Sequence, residues 1–156
     1  MTGLMLWGFA ATTILTTMMR GSQAMGLTRI DLPLVLGLFF TADRDRAKVY
    51  GFFFHLLNGW LFAFVYWGFF RYLGSAIWWL GALLGAVHGL FVLIVVLPVL
   101  PGAHPRMASD ANGPEPTREL EPPGFLALNY GHGTPLVTFL AHIVYGAILG
   151  MFLPTP

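Results

Sequence analysis

Long apolar runs alternate with short polar segments along this chain. Residues 49–70 form a run of twenty-two positions without a charged side chain, and comparable runs fill residues 3–19, 76–97 and 135–153. About twenty apolar residues in a helix cross the roughly 30 Å hydrocarbon layer of a bilayer. The pattern therefore predicts an all-α integral membrane protein with four transmembrane helices, organised as a single transmembrane domain over residues 1–156.

The polar segments between these runs carry signals for further elements. Asp31 followed by Pro33 is typical of a helix start, and the apolar piece over residues 32–40 is too short to span, so we expect a helix lying at the membrane interface. We expect the first span to end at Arg20 and Gly21, and the third to end at Pro98. Residues 99–134 then form a long extramembrane loop before the last helix, which Thr134 caps.

The face that carries histidine in the second span recurs in the fourth. Each has a histidine followed by two small residues at four-residue intervals, with a hydrogen-bonding side chain three positions after the histidine. These residues are His55, Gly59, Ala63 and Asn58 in the second span, and His142, Gly146, Gly150 and Tyr145 in the fourth. The recurrence predicts a four-helix bundle made of two tandem helical hairpins, related as a parallel repeat about the membrane normal.

Small residues at four-residue spacing also mark the third span, at Gly81, Gly85 and Gly89. Such ladders allow the backbones of two membrane helices to approach closely. We expect helix packing at these glycines and at the small residues of the repeated face (Gly59, Ala63, Gly146 and Gly150).

Composition supports the membrane interpretation and removes several function classes. Hydrophobic residues make up 56% of the chain and charged residues 10%, with a mean hydropathy of +0.71, whereas soluble domains carry about 25% charge. The chain has no cysteine, which excludes disulfides and thiolate metal sites. A net charge of +1 argues against a nucleic-acid partner and leaves the lipid bilayer as the expected environment.

The distribution of positive charge predicts an orientation. Of the eight lysine and arginine residues, only Arg71 falls on the side away from the two long loops. Cytoplasmic loops carry an excess of positive charge, so we expect the long loops in the cytoplasm and both termini outside. The seven on the loop side are Arg20, Arg29, Arg44, Arg46, Lys48, Arg106 and Arg118.

Four short motifs together resemble those of an uncharacterised bacterial family of small four-helix integral membrane proteins, known as a domain of unknown function. They are Asp31-x-Pro33-x-x-Leu36-Gly37, His55-x3-Gly59-x6-Tyr66, Pro98-x-x-Pro101 and Leu140-Ala141-His142-x-x-Tyr145-Gly146-x3-Gly150. The resemblance covers nearly the whole chain. It implies the four-helix fold and the bacterial inner membrane, and it brings no activity with it.

Three intramembrane histidines are the main candidates for chemistry. At 1.5 Å per residue, His55 and His142 lie about 10 Å from the loop side of their helices and His88 about 14 Å. Intramembrane ionisable residues are costly and usually face the bundle interior. They could be hydrogen-bonded links between helices, axial ligands of a haem b held by His55 and His142, a three-histidine metal site, or part of a quinone, lipid or proton-relay site.

The sequence favours a non-catalytic role. No acidic residue lies inside a predicted span, so a bound metal's charge would be unbalanced, and motifs for nucleophilic or paired-carboxylate chemistry are missing. We expect an accessory or structural subunit of a larger membrane complex, such as a respiratory or photosynthetic electron-transfer assembly. It would pack against other membrane subunits or a second copy of itself. The alternative is a haem- or metal-binding redox protein using His55, His88 and His142, with Asn58 and Tyr145 beside the cofactor.

Overall fold

The computed structural model describes residues 2–109 and 115–153, and it is all-α with four long apolar helices, as predicted. Helix α4 continues through one π-helical segment directly into α5, and a 3-10 helix precedes the last element. In chain order the elements are α1 (Thr2–Ala24), α2 (Leu32–Gly37), α3 (Arg44–Leu73), α4 (Trp78–Phe91), the π-helical segment (Val92–Val96), α5 (Leu97–Ala103), the 3-10 helix (Phe125–Tyr130) and α6 (Thr134–Phe152).

The first helix ends later than the predicted boundary at residue 19. It passes through Arg20 and Gly21 to Ala24, and the chain turns at Gly26, whose φ is +74°. The N–H of Leu27 donates to the carbonyl of Ser22, which closes the helix end in a Schellman arrangement. Glycine tolerates this left-handed backbone without the Cβ penalty, so Gly26 rather than Gly21 is the stop signal.

Prolines do not end the third span, which was predicted over residues 76–97. The helix runs through Pro98 and Pro101 to Ala103, so the loop covers residues 104–133 rather than 99–134. The N–H of Leu97 donates to the carbonyl of Val92, five residues back, which is the π-helical pattern. A proline clashes with the carbonyl four residues before it in a regular α-helix, and the wider π turn directly before Pro98 offers the relief that this ring needs.

Helix α2 forms where the sequence predicts it and ends at Gly37 rather than at residue 40. Asp31 caps it by accepting a hydrogen bond from the N–H of Leu34 at 3.1 Å. The same carboxylate forms an ion pair with Arg20 at 2.8 Å. The helix packs directly on α3, because a Cβ at Gly37 would lie 1.6 Å from the carbonyl oxygen of Ala47.

The four long helices pack in the order α3, α1, α6, α4, with each neighbour antiparallel to the next. Gly81 faces Gly146 and Gly85 faces His142, which sets the register of the α4–α6 pair. The backbones of α3 and α4 stay apart although a tight turn at Gly74 joins them. Helices α3 and α6 run parallel, as a tandem repeat requires. A tandem repeat would relate α1 to α4 and α3 to α6, so the close α1–α6 contact should correspond to an equally close α3–α4 contact. The structure has no such α3–α4 contact among its described residues, and the repeat stays a prediction.

One end of the bundle, called here the loop end, carries both connecting segments. Thr28 and Thr134 join them through their hydroxyls at 2.7 Å. The expectation that Thr134 caps α6 is therefore wrong: its side chain bonds across to Thr28, and α6 begins without a side-chain cap. Arg29, in the segment between α1 and α2, pairs with Glu121 of the long loop at 3.2 Å. Arg44, at the start of α3, pairs with Glu119 of the same loop at 3.1 Å.

Candidate functional site

The bundle brings the three histidines of the long apolar helices to one cavity. The rings of His88 and His142 meet edge to face with centroids 4.7 Å apart, and His55 lines the same space from α3. Close packing of α4 on α6 produces this arrangement, since a Cβ at Gly89 would lie 3.1 Å from the Cβ of His142. The shared depth that the helical rise predicts is therefore a shared site.

His142 has a defined hydrogen-bonding state. Its Nδ1 lies 2.7 Å from the carbonyl oxygen of Thr138, one turn earlier on the same helix. A carbonyl can only accept, so Nδ1 carries the proton and Nε2 of the neutral ring is an acceptor. The side chain is 7% exposed, and the bond to Thr138 fixes the direction in which the ring points.

His88 is held by aromatic side chains of α3. Its ring stacks on Phe62 at a centroid distance of 3.8 Å, and its Nδ1 lies 3.4 Å from the hydroxyl of Tyr66. Tyr66 in turn packs perpendicular to Tyr145, with centroids 5.6 Å apart. These contacts bridge the gap between the backbones of α3 and α4, so His88 closes the site on that side.

Two polar atoms at this site have no partner among the described residues. They are Nε2 of His55 and the side-chain oxygen of Thr138, both removed from the protein surface. Both residues line the cavity. Buried polar atoms are almost always hydrogen-bonded, and leaving one unpaired costs about 1–3 kcal/mol. The two atoms are therefore polar groups of lining residues that the described part of the chain leaves unpaired.

The cavity has a volume of about 250 Å³ and is predominantly apolar. It extends from the histidines toward the loop end, along the π-helical segment and α5. The lining at that end, called here the mouth, includes Leu32 and Leu36 of α2 and Val96, which is 37% exposed. Its lining is Thr12, Leu15, Met19, Ile30, Leu32, Leu36, His55, Asn58, Gly59, Phe62, His88, Val92, Val96, Leu97, Leu100, Thr138, His142 and Tyr145.

The two residues predicted beside a cofactor have different places. Asn58 lines the cavity, where its amide is open to a ligand. Tyr145 also lines it, but its hydroxyl donates to the carbonyl oxygen of Gly59 at 2.6 Å. Tyr145 therefore connects α6 to α3 at the cavity wall.

The small residues of the repeated faces lie at helix contacts with different partners. Gly59 faces Thr12 of α1, and Ala63 is fully buried near Gly8 of the same helix. Gly146 and Gly150 instead face α4, against Gly81. Gly85 and Gly89 complete that α4–α6 contact. The recurring sequence pattern thus serves two different packing interfaces.

The histidines do not act uniformly as links between helices. Within residues 2–109 and 115–153, only His88 of the three reaches a hydrogen-bonding group on another long helix. His142 bonds within α6, and Nε2 of His55 is unpartnered. The contact to Thr138 follows from the helical i to i−4 spacing, and Tyr66 lies three turns after His55 on the same face. That spacing could have identified both residues in the sequence.

A three-histidine metal site was one of the alternatives that the sequence left open. The part of the chain that the structure describes brings no three histidine, aspartate or glutamate side chains together in a way that could hold a metal ion. His55 and His142, the residues proposed as axial ligands, both line the cavity. The haem b hypothesis stays a prediction.

A fourth histidine, His104, holds the start of the long loop beside the cavity. His104 donates from Nε2 to the carbonyl oxygen of Val35 at 2.9 Å and accepts at Nδ1 from the N–H of Arg106 at 3.0 Å. Burial lowers the pKa of His104, and its bond to Val35 opposes this only in part. The adjoining α2 and α5 supply Leu36 and Leu100 to the cavity lining, so this contact holds the wall at the loop end in place.

Comparison of this chain with protein-family models, with curated proteins and with solved structures finds no match. The resemblance to a family of small four-helix membrane proteins stays a prediction, and the expectation of an accessory subunit also stays one.

Proposed function

We propose that this protein binds a lipid-soluble small molecule in the histidine-lined cavity. The observation that carries the proposal is the pair of unpartnered buried atoms, Nε2 of His55 and the oxygen of Thr138, beside an apolar cavity of about 250 Å³. Apolar pockets with a few convergent polar groups are the usual form of small-molecule sites. A ligand with a polar end would bond to polar groups at the histidine end of the cavity while its apolar part fills the remaining space.

The direction of the cavity supports access from the bilayer. The histidines lie at the inner end of the cavity. Val96 and Leu100 lie eight and twelve residues after His88 on the continuous α4–α5 helix, which is about 12 and 18 Å at 1.5 Å per residue. The gap between α3 and α4 gives this space its width. A molecule dissolved in the membrane could therefore enter sideways near Val96, with its polar end leading.

The membrane location belongs to this proposal. The four apolar helices have the length and composition to cross a bilayer. Seven of the eight lysine and arginine residues precede or follow them on the loop side, which favours cytoplasmic loops. We propose the bacterial inner membrane with both termini outside, and the cavity then opens in the cytoplasmic leaflet.

Two neighbouring tryptophan variants test ligand binding. Val96→Trp would fill the mouth of the cavity, whereas Val95→Trp adds the same ring at a position that is 45% exposed and does not line it. The measurement is native mass spectrometry of protein extracted from membranes, supported by photo-crosslinking with a diazirine-labelled lipophilic probe. The wild type and Val95→Trp should retain a bound molecule, and Val96→Trp should lose it. Wild-type protein without a bound molecule or probe labelling in the cavity would refute the proposal.

A further inference from the structure

We propose that the bound head group is a hydroxylated aromatic ring, a quinol or a related phenol, whose O–H donates to Nε2 of His142. This inference rests on the proposed ligand-binding function and names the chemical class of its ligand. It depends on which atoms of the cavity can donate a hydrogen bond and which can only accept one.

The acceptor is Nε2 of His142. Its Nδ1–H is already committed to the carbonyl of Thr138 at 2.7 Å, so the neutral ring has only a lone pair to offer the cavity. The ring is neutral because no aspartate or glutamate is among the described residues that line the cavity, and an unpaired cation in apolar surroundings is strongly disfavoured. A ligand that satisfies Nε2 must therefore carry a donor.

The donor beside it is Nε2 of His88. The hydroxyl of Tyr66 lies 3.4 Å from Nδ1 of His88, and no other side chain in the described part of the chain bonds to it. If Tyr66 donates its hydroxyl proton to Nδ1 of His88, that proton has a hydrogen-bond acceptor. Nδ1 of the neutral imidazole is then unprotonated, and the ring proton lies on Nε2. Both residues line the cavity and their ring centroids are 4.7 Å apart, so we infer that the cavity offers one acceptor and one donor close together.

A single hydroxyl matches this pair and a carbonyl does not. A phenolic or quinol O–H donates through its hydrogen and accepts through its oxygen, so it can engage His142 and His88 together. A quinone carbonyl can only accept, which leaves Nε2 of His142 unpaired. The oxidised form of the same ring should therefore bind more weakly than the reduced form.

Aromatic side chains surround the place where the ring would lie. Phe62 stacks on His88 at 3.8 Å and Tyr145 packs edge-on to it at 6.1 Å. Aromatic groups prefer stacked or edge-to-face neighbours of this kind. Toward the mouth the lining becomes aliphatic at Val92, Leu97 and Leu100, which suits an alkyl or isoprenoid tail.

Binding of three matched ligands to the wild type tests the inference directly. Protein in lipid nanodiscs is titrated anaerobically with a short-chain quinol, its quinone and the dimethyl ether of the quinol. We expect the quinol to bind about tenfold more tightly than the other two, the equivalent of one hydrogen bond. Equal affinity for all three would overturn the assignment without any variant being needed.

Two substitutions at His142 locate the acceptor. His142→Asn keeps an amide N–H at the position of Nδ1, and hence the bond to Thr138, but lacks an atom at Nε2. His142→Gln places an amide oxygen near the position of Nε2. The preference for quinol should disappear in His142→Asn and persist in His142→Gln, with folding checked by thermal unfolding. Persistence of the preference in a folded His142→Asn protein would overturn the assignment.

The Val96→Trp experiment and the titration with three ligands together distinguish a wrong quinol assignment from a wrong ligand-binding proposal. If native protein retains a membrane-derived molecule that Val96→Trp displaces, yet no quinol binds, the quinol assignment is wrong and ligand binding stands. If the wild type neither retains a molecule nor binds any of the three ligands, both proposals are wrong.

Discussion

The hydroxyl of Tyr145 donates to the carbonyl oxygen of Gly59 across 2.6 Å, and this bond joins α6 to α3 at the wall of the cavity. Both helices run in the same direction, so the bond connects corresponding levels of the two histidine-bearing segments. Tyr145 is 2% exposed, and its ring also packs on Tyr66 and His88.

Tyr145→Phe should destabilise the bundle by about 1 kcal/mol, the usual net value of one hydrogen bond, because the ring remains and only the bond is lost. Tyr50→Phe is the matched control, since Tyr50 is 48% exposed. Thermal unfolding in detergent, followed by circular dichroism, measures both. Equal midpoints for the two variants would show that the bond contributes nothing to stability.

Gly85→Ala should destabilise the α4–α6 contact by about 1–3 kcal/mol, as overpacking of a tight interface does. An added Cβ would lie 2.2 Å from the backbone carbonyl oxygen of His142, which cannot move aside without shifting α6. Gly68→Ala provides the comparison, because nothing lies within 4 Å of a Cβ there. It should be neutral or stabilising, since alanine favours helix over glycine.

Stability should fall as the pH is lowered below about 6.5, the ordinary pKa of histidine, because of His104. Burial lowers its pKa in the folded protein, so the folded state favours the neutral ring. The stability that the neutral ring of His104 contributes is complete above the pKa of histidine in the unfolded chain. It is lost as the pH falls through the lower pKa that His104 has in the folded protein. Protonation also removes the acceptor for the N–H of Arg106.

The variant His104→Gln isolates this effect. Its side chain can still donate to the carbonyl of Val35 but does not titrate. Unfolding midpoints are compared between pH 8 and pH 5, and the wild type should lose more stability than the variant over that interval. Parallel pH profiles would assign the acid sensitivity to another group.

The hydroxyls of Thr28 and Thr134 should show energetic coupling of about 1 kcal/mol in a double-mutant cycle with valine. Each single substitution leaves the other hydroxyl without its buried partner, whereas the double variant removes both. The loss in the double variant should therefore be smaller than the sum of the single losses. Simple additivity of the three unfolding free energies would contradict the bond.

Sequence patterns predicted the features that depend on one helix at a time. The length of the apolar runs predicted the four long helices, and Asp31 predicted the start of α2. The rise per residue of an α-helix predicted that His55, His88 and His142 lie at one depth. Features that depend on the contact between two helices could not be predicted from the sequence pattern as well. The repeated faces around Gly59 and Gly146 look alike, yet one packs on α1 and the other on α4.

The prediction that the third span ends at Pro98 was wrong for a different reason. Proline is a strong stop in water, but a π turn directly before it can let the helix continue through it, and nothing in Val92–Val96 marks that turn beforehand. The cavity was also beyond sequence reasoning. It depends on the separation of α3 and α4, across which Phe62 and Tyr66 of α3 contact His88 of α4.

The central position of α6 has a consequence for how the molecule is made. This helix contacts α1, α3 and α4, together with the 3-10 helix and the π-helical segment, yet it is the last of the four long helices to be synthesised. Chains are made from the amino terminus, so α1, α3 and α4 are complete before α6, and the faces that α6 will cover are still open at that stage. Only α1 and α3 can pair firmly in that interval, since α3 and α4 lack close backbone contact. Insertion of α6 is therefore the step that assembles the histidine site.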